Sequence, residues 1–172
     1  MHVSSHVLLI GVGTLLIAAA VPWLARRAAL RRVVRRWPRG VEVRRSLIKN
    51  AGDGLFATRT FFKGEVLGVY RGRVLSLLQA HQLQDRDYLM GGFGINAHVD
   101  ARFALNAEGR YVNDNFDTTK LNAEFEKLKA ERIANVRATR DIQAGEEIYA
   151  SYGETYWRAR GIDPQTGQLV RG

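Results

Sequence analysis

Beyond residue 40 the apolar segments of this chain are short, three to six residues each, at 41–43, 54–58, 65–70, 95–99, 121–125, 133–138 and 147–150. Segments of that length suit strands and fall below the ten or so residues a core helix needs. The glycines, asparagines and aspartates between them are turn formers. Among residues 41–115 only 76–84 has helical character. The pattern predicts a mostly β domain of the α+β kind with one or two small helices, over about 41–160, and a C-terminal tail at 161–172.

The N-terminus reads differently. Residues 7–24 form an 18-residue run without a charge. As a helix it would be about 27 Å long, near the lower limit for crossing a bilayer. Arg26, Arg27, Arg31, Arg32, Arg35 and Arg36 follow at once. Basic residues stay on the cytoplasmic side, so residues 1–24 are expected to be a single-pass membrane segment with the C-terminal domain facing the cytosol. Residues 25–40 then form an Arg-rich juxtamembrane linker attracted to anionic headgroups, ending at the helix-breaking Trp37-Pro38-Arg39-Gly40. A cleaved signal peptide and a buried helix are the competing readings, and the arginines would also suit nucleic acid or a sorting receptor. Of the net charge of +9, residues 1–40 carry +7 and the rest +2. The domain itself is therefore not expected to bind nucleic acid directly. Cysteine is absent, and His2, His6, His81 and His98 have no metal-ligand spacing, so neither disulfides nor a metal site are expected.

An internal echo marks the domain. Ala57-Thr58-Arg59 is followed by Gly64-Glu65 and Tyr70; Ala138-Thr139-Arg140 is followed by Gly145-Glu146 and Tyr152. Two copies are too few for a solenoid, and they suggest two similar β-turn-β units in one domain.

Four stretches carry the chemistry. The first is Ala51-Gly52-Asp53-Gly54-Leu55-Phe56-Ala57, with Gly64-Glu65 and Tyr70-Arg71-Gly72 after it. The second is Asp100-Ala101 with Asn106, then Arg110-Tyr111-Val112-Asn113-Asp114-Asn115, and the third is Asn122-Ala123-Glu124-Phe125. The fourth runs from Ala138 through Gly145-Glu146-Glu147-Ile148 to Tyr152-Gly153 and Tyr156-Trp157. In this order, over residues 41–157, they resemble the SET-domain family of protein-lysine methyltransferases in its compact form without zinc-binding flanks. The resemblance implies a β-clip fold of small sheets with a C-terminal pseudoknot. It also implies S-adenosylmethionine as methyl donor and a protein lysine as acceptor, histone or non-histone. Tyr152 is then the catalytic tyrosine, and Gly52, Asp53, Gly54, Asn113, Asp114, Tyr152 and Trp157 the cofactor residues. Tyr88, Phe125 and Tyr149 are candidates for the lysine channel, with core packing the alternative for Tyr88 and Phe125. Trp157 either stacks on the adenine or caps the core. Methyl transfer needs alignment more than acid–base help, so Glu146 and Glu147 are read as turn and surface residues.

Two departures stand out. The family's usual histidine after the asparagine is Asp114 here, and the cysteine-rich flanks are missing, which leaves 156–162 to close the channel. Both motivate an alternative function, a non-catalytic SET-like binding module at a membrane. A third reading is a basic adaptor acting through residues 25–39 alone.

Overall fold

The computed structural model describes residues 35–169. Among the described residues nine strands form three small antiparallel sheets. In the first, β1 (Arg36–Trp37), β2 (Val41–Arg45) and β3 (Asp53–Ala57) lie in sequence order. In the second, β9 (Ile133–Ala138) lies between β4 (Val66–Tyr70) and β8 (Ala123–Leu128). In the third, β7 (His98–Asp100) lies between β5 (Arg73–Leu75) and β6 (Leu89–Met90). Helices are short: α1 (Leu77–His81), a 3-10 turn at Glu108–Tyr111, and α2 (Glu154–Arg158).

Local chemistry accounts for most boundaries. Strand β9 alternates, with Ala134, Val136 and Ala138 buried and their neighbours half-buried, as a strand between two partners over a core should. Val136 and Ala138 enter one core cluster with Phe61, Leu67, Ile142 and Ile148, while Ala134 enters a second with Tyr70, Phe93 and Val99. Ser76 caps α1 in a capping box with Gln79, which starts the helix at the expected point. Trp37–Gly40, expected as a linker break, is the turn of the β1–β2 hairpin, with Gly40 at φ +99° and its N–H bonded to the Trp37 carbonyl at 3.1 Å.

The sequence echo is a structural pair. Phe61 and Ile142, 81 residues apart, exchange two backbone hydrogen bonds at 2.9 Å. Around them the bonds recur with the same offset: Gly64 N–H to Ala138 O and Gly145 N–H to Ala57 O, both 2.8 Å. Ala138 N–H donates to Glu65 O, and Ala57 N–H to Glu146 O. Each turn is closed by its own ion pair, Arg59–Glu65 and Arg140–Glu146. Gly64 and Gly145 sit at φ +88° and +94°, the backbone region where a side chain is strained.

Several expected elements differ. The strand expected at 95–99 begins only at His98, and Ile95 is fully exposed. Asn96 turns its side chain to accept the Leu77 N–H, so this stretch serves the helix cap. The strand expected at 121–125 is shifted to Ala123–Leu128 because Asn122 is fully buried and spends its side chain on other backbone groups. Residues 147–150 form isolated bridges to Phe56, Asn113 and Ala123. That segment is held on one edge by Asn113 and on the other by Asn122–Ala123. The expected N-terminal hydrophobic helix lies outside the described residues. Among the described residues no helix is long and apolar enough to cross a membrane.

Candidate active site

The second β-turn-β unit leads straight into the site. After Gly145–Glu146 the chain enters residues 147–150, all four buried. Asn122 fixes this segment by imitating a strand: its Nδ2 donates to the Glu147 carbonyl at 2.9 Å and its Oδ1 accepts the Tyr149 N–H at 2.8 Å.

Glu147 is the polar centre. It is only 3% exposed, which corrects the expectation of a turn or surface residue. Four donors meet its carboxylate: Ser46 Oγ at 2.7 Å, the Leu47 N–H at 2.7 Å, Asn113 Nδ2 at 3.2 Å and the Tyr149 hydroxyl at 2.8 Å. A carboxylate is an acceptor at every one of these positions, so the hydrogen bonds compensate burial without a cation. A Cβ at residue 54 would lie 2.1 Å from Glu147 Oε1, so the carboxylate itself demands Gly54. Gly52 has open space around its Cβ direction and φ +82°, so its need is conformational. Asn113 Nδ2 also donates to the Asp53 carbonyl at 3.1 Å. Both amide hydrogens are thereby spent, and its side-chain carbonyl oxygen remains as an acceptor.

Tyr152 lies on the aromatic side. Its hydroxyl donates to the Val112 carbonyl at 2.8 Å, the residue before Asn113. Burial, with the nearby Tyr156 and Asp114, pushes its phenol far above the ordinary range. Tyr156 packs edge-on at 4.8 Å and Trp157 stacks at 5.5 Å with ring planes 16° apart. Tyr70 donates its hydroxyl to the Tyr88 carbonyl, and burial raises its phenol too. Burial likewise raises Tyr156, to about 12. The Arg110 guanidinium covers the Tyr88 ring at 4.1 Å. Asp114 accepts the Tyr152 N–H at 2.8 Å and the Trp157 indole N–H at 2.9 Å through Oδ2, and the Phe116 N–H at 3.1 Å through Oδ1.

The expected residues therefore fall into two groups. Gly52, Asp53, Gly54 and Asn113 come together around Glu147, whereas Asp114, Tyr152 and Trp157 join Tyr70, Tyr88 and Tyr156 in the aromatic group. Asn113 and Asp114, adjacent in sequence, connect the two. Tyr149, expected in the channel, instead bonds Glu147, because residues two apart in an extended segment share a face. Phe125 backs the cluster, edge-on to Tyr70 at 5.7 Å. Trp157 caps an aromatic group that includes Phe116 at 4.3 Å. Sequence reasoning gave no site role to Glu147, Ser46, Phe116 or Tyr70. The available signal for Glu147 was its place at the head of a run of four residues that was read as a strand.

Comparison with known proteins bears on this geometry. The model of the SET domain family matches residues 52–153. Among solved structures the fold is similar to the methyltransferase domain of human PR domain-containing protein 2, at 22% identity and a TM-score of 0.55. The match covers 69% of this chain and 80% of that one.

Proposed function

This chain belongs to the SET-domain family, and from that premise we propose that it transfers a methyl group from S-adenosylmethionine to a protein lysine. The observation that carries the reading is the Tyr152 hydroxyl, held on the Val112 carbonyl among the buried Tyr70 and the half-buried Tyr88 and Tyr156, one residue from the Asn113 cradle. The residues present fit the methyl donor on their own chemistry. Asn113 retains an unspent acceptor, Asn115 Nδ2 is a buried donor with no partner, and no atom lies within 4 Å of where a Gly52 Cβ would stand. Gly52, Asp53, Gly54 and Asn113 would hold that donor, and Asp114, Tyr152 and Trp157 would border it. When bound, S-adenosylmethionine supplies an activated methyl group on a positive sulfonium.

The protein's part is alignment and desolvation. Tyr152 keeps its proton at any working pH, because burial disfavours the phenolate. It therefore acts as a neutral ring and hydroxyl oxygen beside a cation, and serves as no base. Tyr70 and Tyr156 are held neutral in the same way. A lysine entering such a channel sheds its proton to solvent, which near pH 7 costs about 4–5 kcal/mol from an unperturbed value. Apolar walls and a neighbouring positive charge reduce that cost.

We also propose that the domain works at a membrane, cytosolic side, tethered by residues 7–24. Residues 26–51 carry ten arginines and lysines against one acid, Glu42, a net +9 equal to that of the whole chain. The described hairpin β1–β2 thus continues the basic stretch, with Arg36, Arg39, Arg45 and Lys49 exposed. This charge supports docking on anionic headgroups, and recovery of the chain in the soluble fraction after cell lysis would overturn it.

Calorimetry of the full chain with S-adenosylmethionine, paired with transfer of labelled methyl to lysine-bearing proteins, tests the enzyme reading. Saturable binding with label on lysine is expected. A folded chain that neither binds nor transfers would favour the non-catalytic binding module.

A further inference from the structure

Helix α2 has little to hold it in place. It has five residues, begins after Gly153 at φ +83° without a side-chain cap, and buries none of its residues. A helix this short does not sustain itself. Beyond its ring contacts with Tyr152 and Phe116, its polar ties to the rest of the fold are few. Tyr156 donates to the Asp87 carbonyl at 3.2 Å, the following Arg160 pairs with the Asp87 side chain at 3.2 Å, and Trp157 reaches Asp114. The Asp87 side chain is 65% exposed, and such pairs contribute little. Asp114 is different. Its two oxygens accept three N–H groups, one of them the backbone of Tyr152 and one the indole that stacks on the Tyr152 ring.

We infer that Asp114 is a positioning residue, and that its bond to Trp157 is the latch that fixes α2 over Tyr152 and sets the tyrosine's ring for methyl transfer. The inference rests on the methyltransferase reading for its effect on turnover, although the latch itself does not. The chemistry at this position calls for acceptors only. Aspartate offers two oxygens to three donors. A neutral imidazole offers one acceptor nitrogen and brings a donor of its own, and an asparagine amide would set its NH2 against either the Phe116 N–H or the other two donors. The closing segment continues this arrangement. Phe116, bonded through its N–H to Asp114, tilts against Trp157 at 4.3 Å, and the tail approaches the same ring, a Cβ at Gly167 falling 3.1 Å from it. Aspartate at 114 and tryptophan at 157 are thus a matched pair, which makes Asp114 a fitted part of this site and not a lesion in it.

A double-mutant cycle on the full chain tests the pairing, with Asp114→Asn, Trp157→Phe and the double variant. Trp157→Phe keeps a stacking ring and removes the donor. We expect kcat to fall about ten- to a hundredfold in each single variant, from displacement of the aligned tyrosine. The KM for S-adenosylmethionine should move less, and the double variant should be no slower than the worse single one. Asp114→His should not restore turnover. The Trp157 indole N–H, assigned by its loss in Trp157→Phe, should exchange slowly in the wild type and fast in Asp114→Asn. Additive losses, a folded Trp157→Phe with wild-type kcat, or indole exchange indifferent to residue 114 would each overturn the latch. Should Asp114→Asn fail to fold, Trp157→Phe decides alone. A wild-type chain without methyl transfer but with a protected, Asp114-dependent indole would refute the enzyme reading and leave the latch standing.

Discussion

The two β-turn-β units of this domain share their backbone bonds and diverge in what they carry. Residues 57–65 and 138–146 exchange matching hydrogen bonds about the Phe61–Ile142 pair, and each turn is closed by an arginine–glutamate pair six residues apart. Leu67 and Ile148, equivalent by the 81-residue offset, are both fully buried. One step earlier the likeness ends. The first unit has Val66 paired with Arg137 just before a register shift at Leu67, whereas the second has Glu147, a buried carboxylate held by four donors. The first unit continues as strand β4, paired along β9 past that shift, and the second is bridged on both edges and then delivers Tyr152. The shared turn supplies a frame, and the chemistry resides in the departures from it.

Breaking the departure should have the largest effect. Glu147→Ala leaves the Ser46 hydroxyl, the Leu47 N–H, the Asn113 amide and the Tyr149 hydroxyl without their acceptor. We expect a loss of roughly 4 kcal/mol in unfolding free energy, since each orphaned buried donor costs on the order of 1–3 kcal/mol and relaxation recovers part. Val66→Ala, at the equivalent half-buried position, should cost about 1 kcal/mol. Denaturant titration of both variants checks the contrast, and equal losses would mean that the four bonds are not stabilising.

Tyr152→Phe comes next. It removes one hydroxyl bonded to the Val112 carbonyl and should cost about 1 kcal/mol of stability. Turnover should fall about a hundredfold, because the ring loses its aligning bond. A folded variant with unchanged kcat would detach Tyr152 from the chemistry.

How much of this was legible in the sequence follows from where the determining forces lie. The paired turns were legible because their chemistry is local: a glycine at positive φ and a charge pair six residues apart leave a repeating signature. The strand at Ile133–Ala138 was legible because it buries alternate residues. The segment at 95–99 misled because isoleucine favours strands, while the fold uses Asn96 as a remote cap for Leu77 and leaves Ile95 in solvent. Glu147 was illegible as a buried residue because two of its donors, Ser46 and Leu47, lie about a hundred residues away in sequence. Tyr149 bonds Glu147 only two residues away, so its partner was hidden by Glu147's unread burial and not by distance, and Tyr70 reaches Tyr88 across 18 residues of loop and short elements. The motif residues Asn113, Asp114 and Tyr152 were found by resemblance, but the bond from Asp114 to Trp157 is tertiary and left no local trace.

A smaller effect sharpens the likeness of the two units. Gly64→Ala and Gly145→Ala meet no atom within 4 Å, so each should cost only the backbone strain of positive φ, about 1–2 kcal/mol. The two losses should agree. Gly54→Ala, which would meet Glu147 at 2.1 Å, should exceed both, and a Gly54→Ala variant as stable as the other two would mean that the carboxylate moves aside.

The smallest effect concerns the closing carboxylates. The Phe62 N–H and Arg59 hold Glu65 below its ordinary 4.5. Burial pushes Glu146 up, but Arg140 and the Gln143 N–H outweigh it and the net shift is also downward. A carboxyl depressed in the folded state contributes stability that is present above the unfolded value and lost as pH falls through the folded one. Both turns should therefore weaken below about pH 4.5. Asp85, Asp117 and Glu126 are depressed as well and add to the acid slope, so differences between variants are the measure. Melting temperatures of Glu65→Gln and Glu146→Gln from pH 6 to pH 3 should each show a shallower acid fall than wild type, by similar amounts. A change in one variant alone would show that the two turns share geometry without sharing electrostatics; no change in either would mean that solvent screens both pairs and the backbone bonds hold the turns unaided.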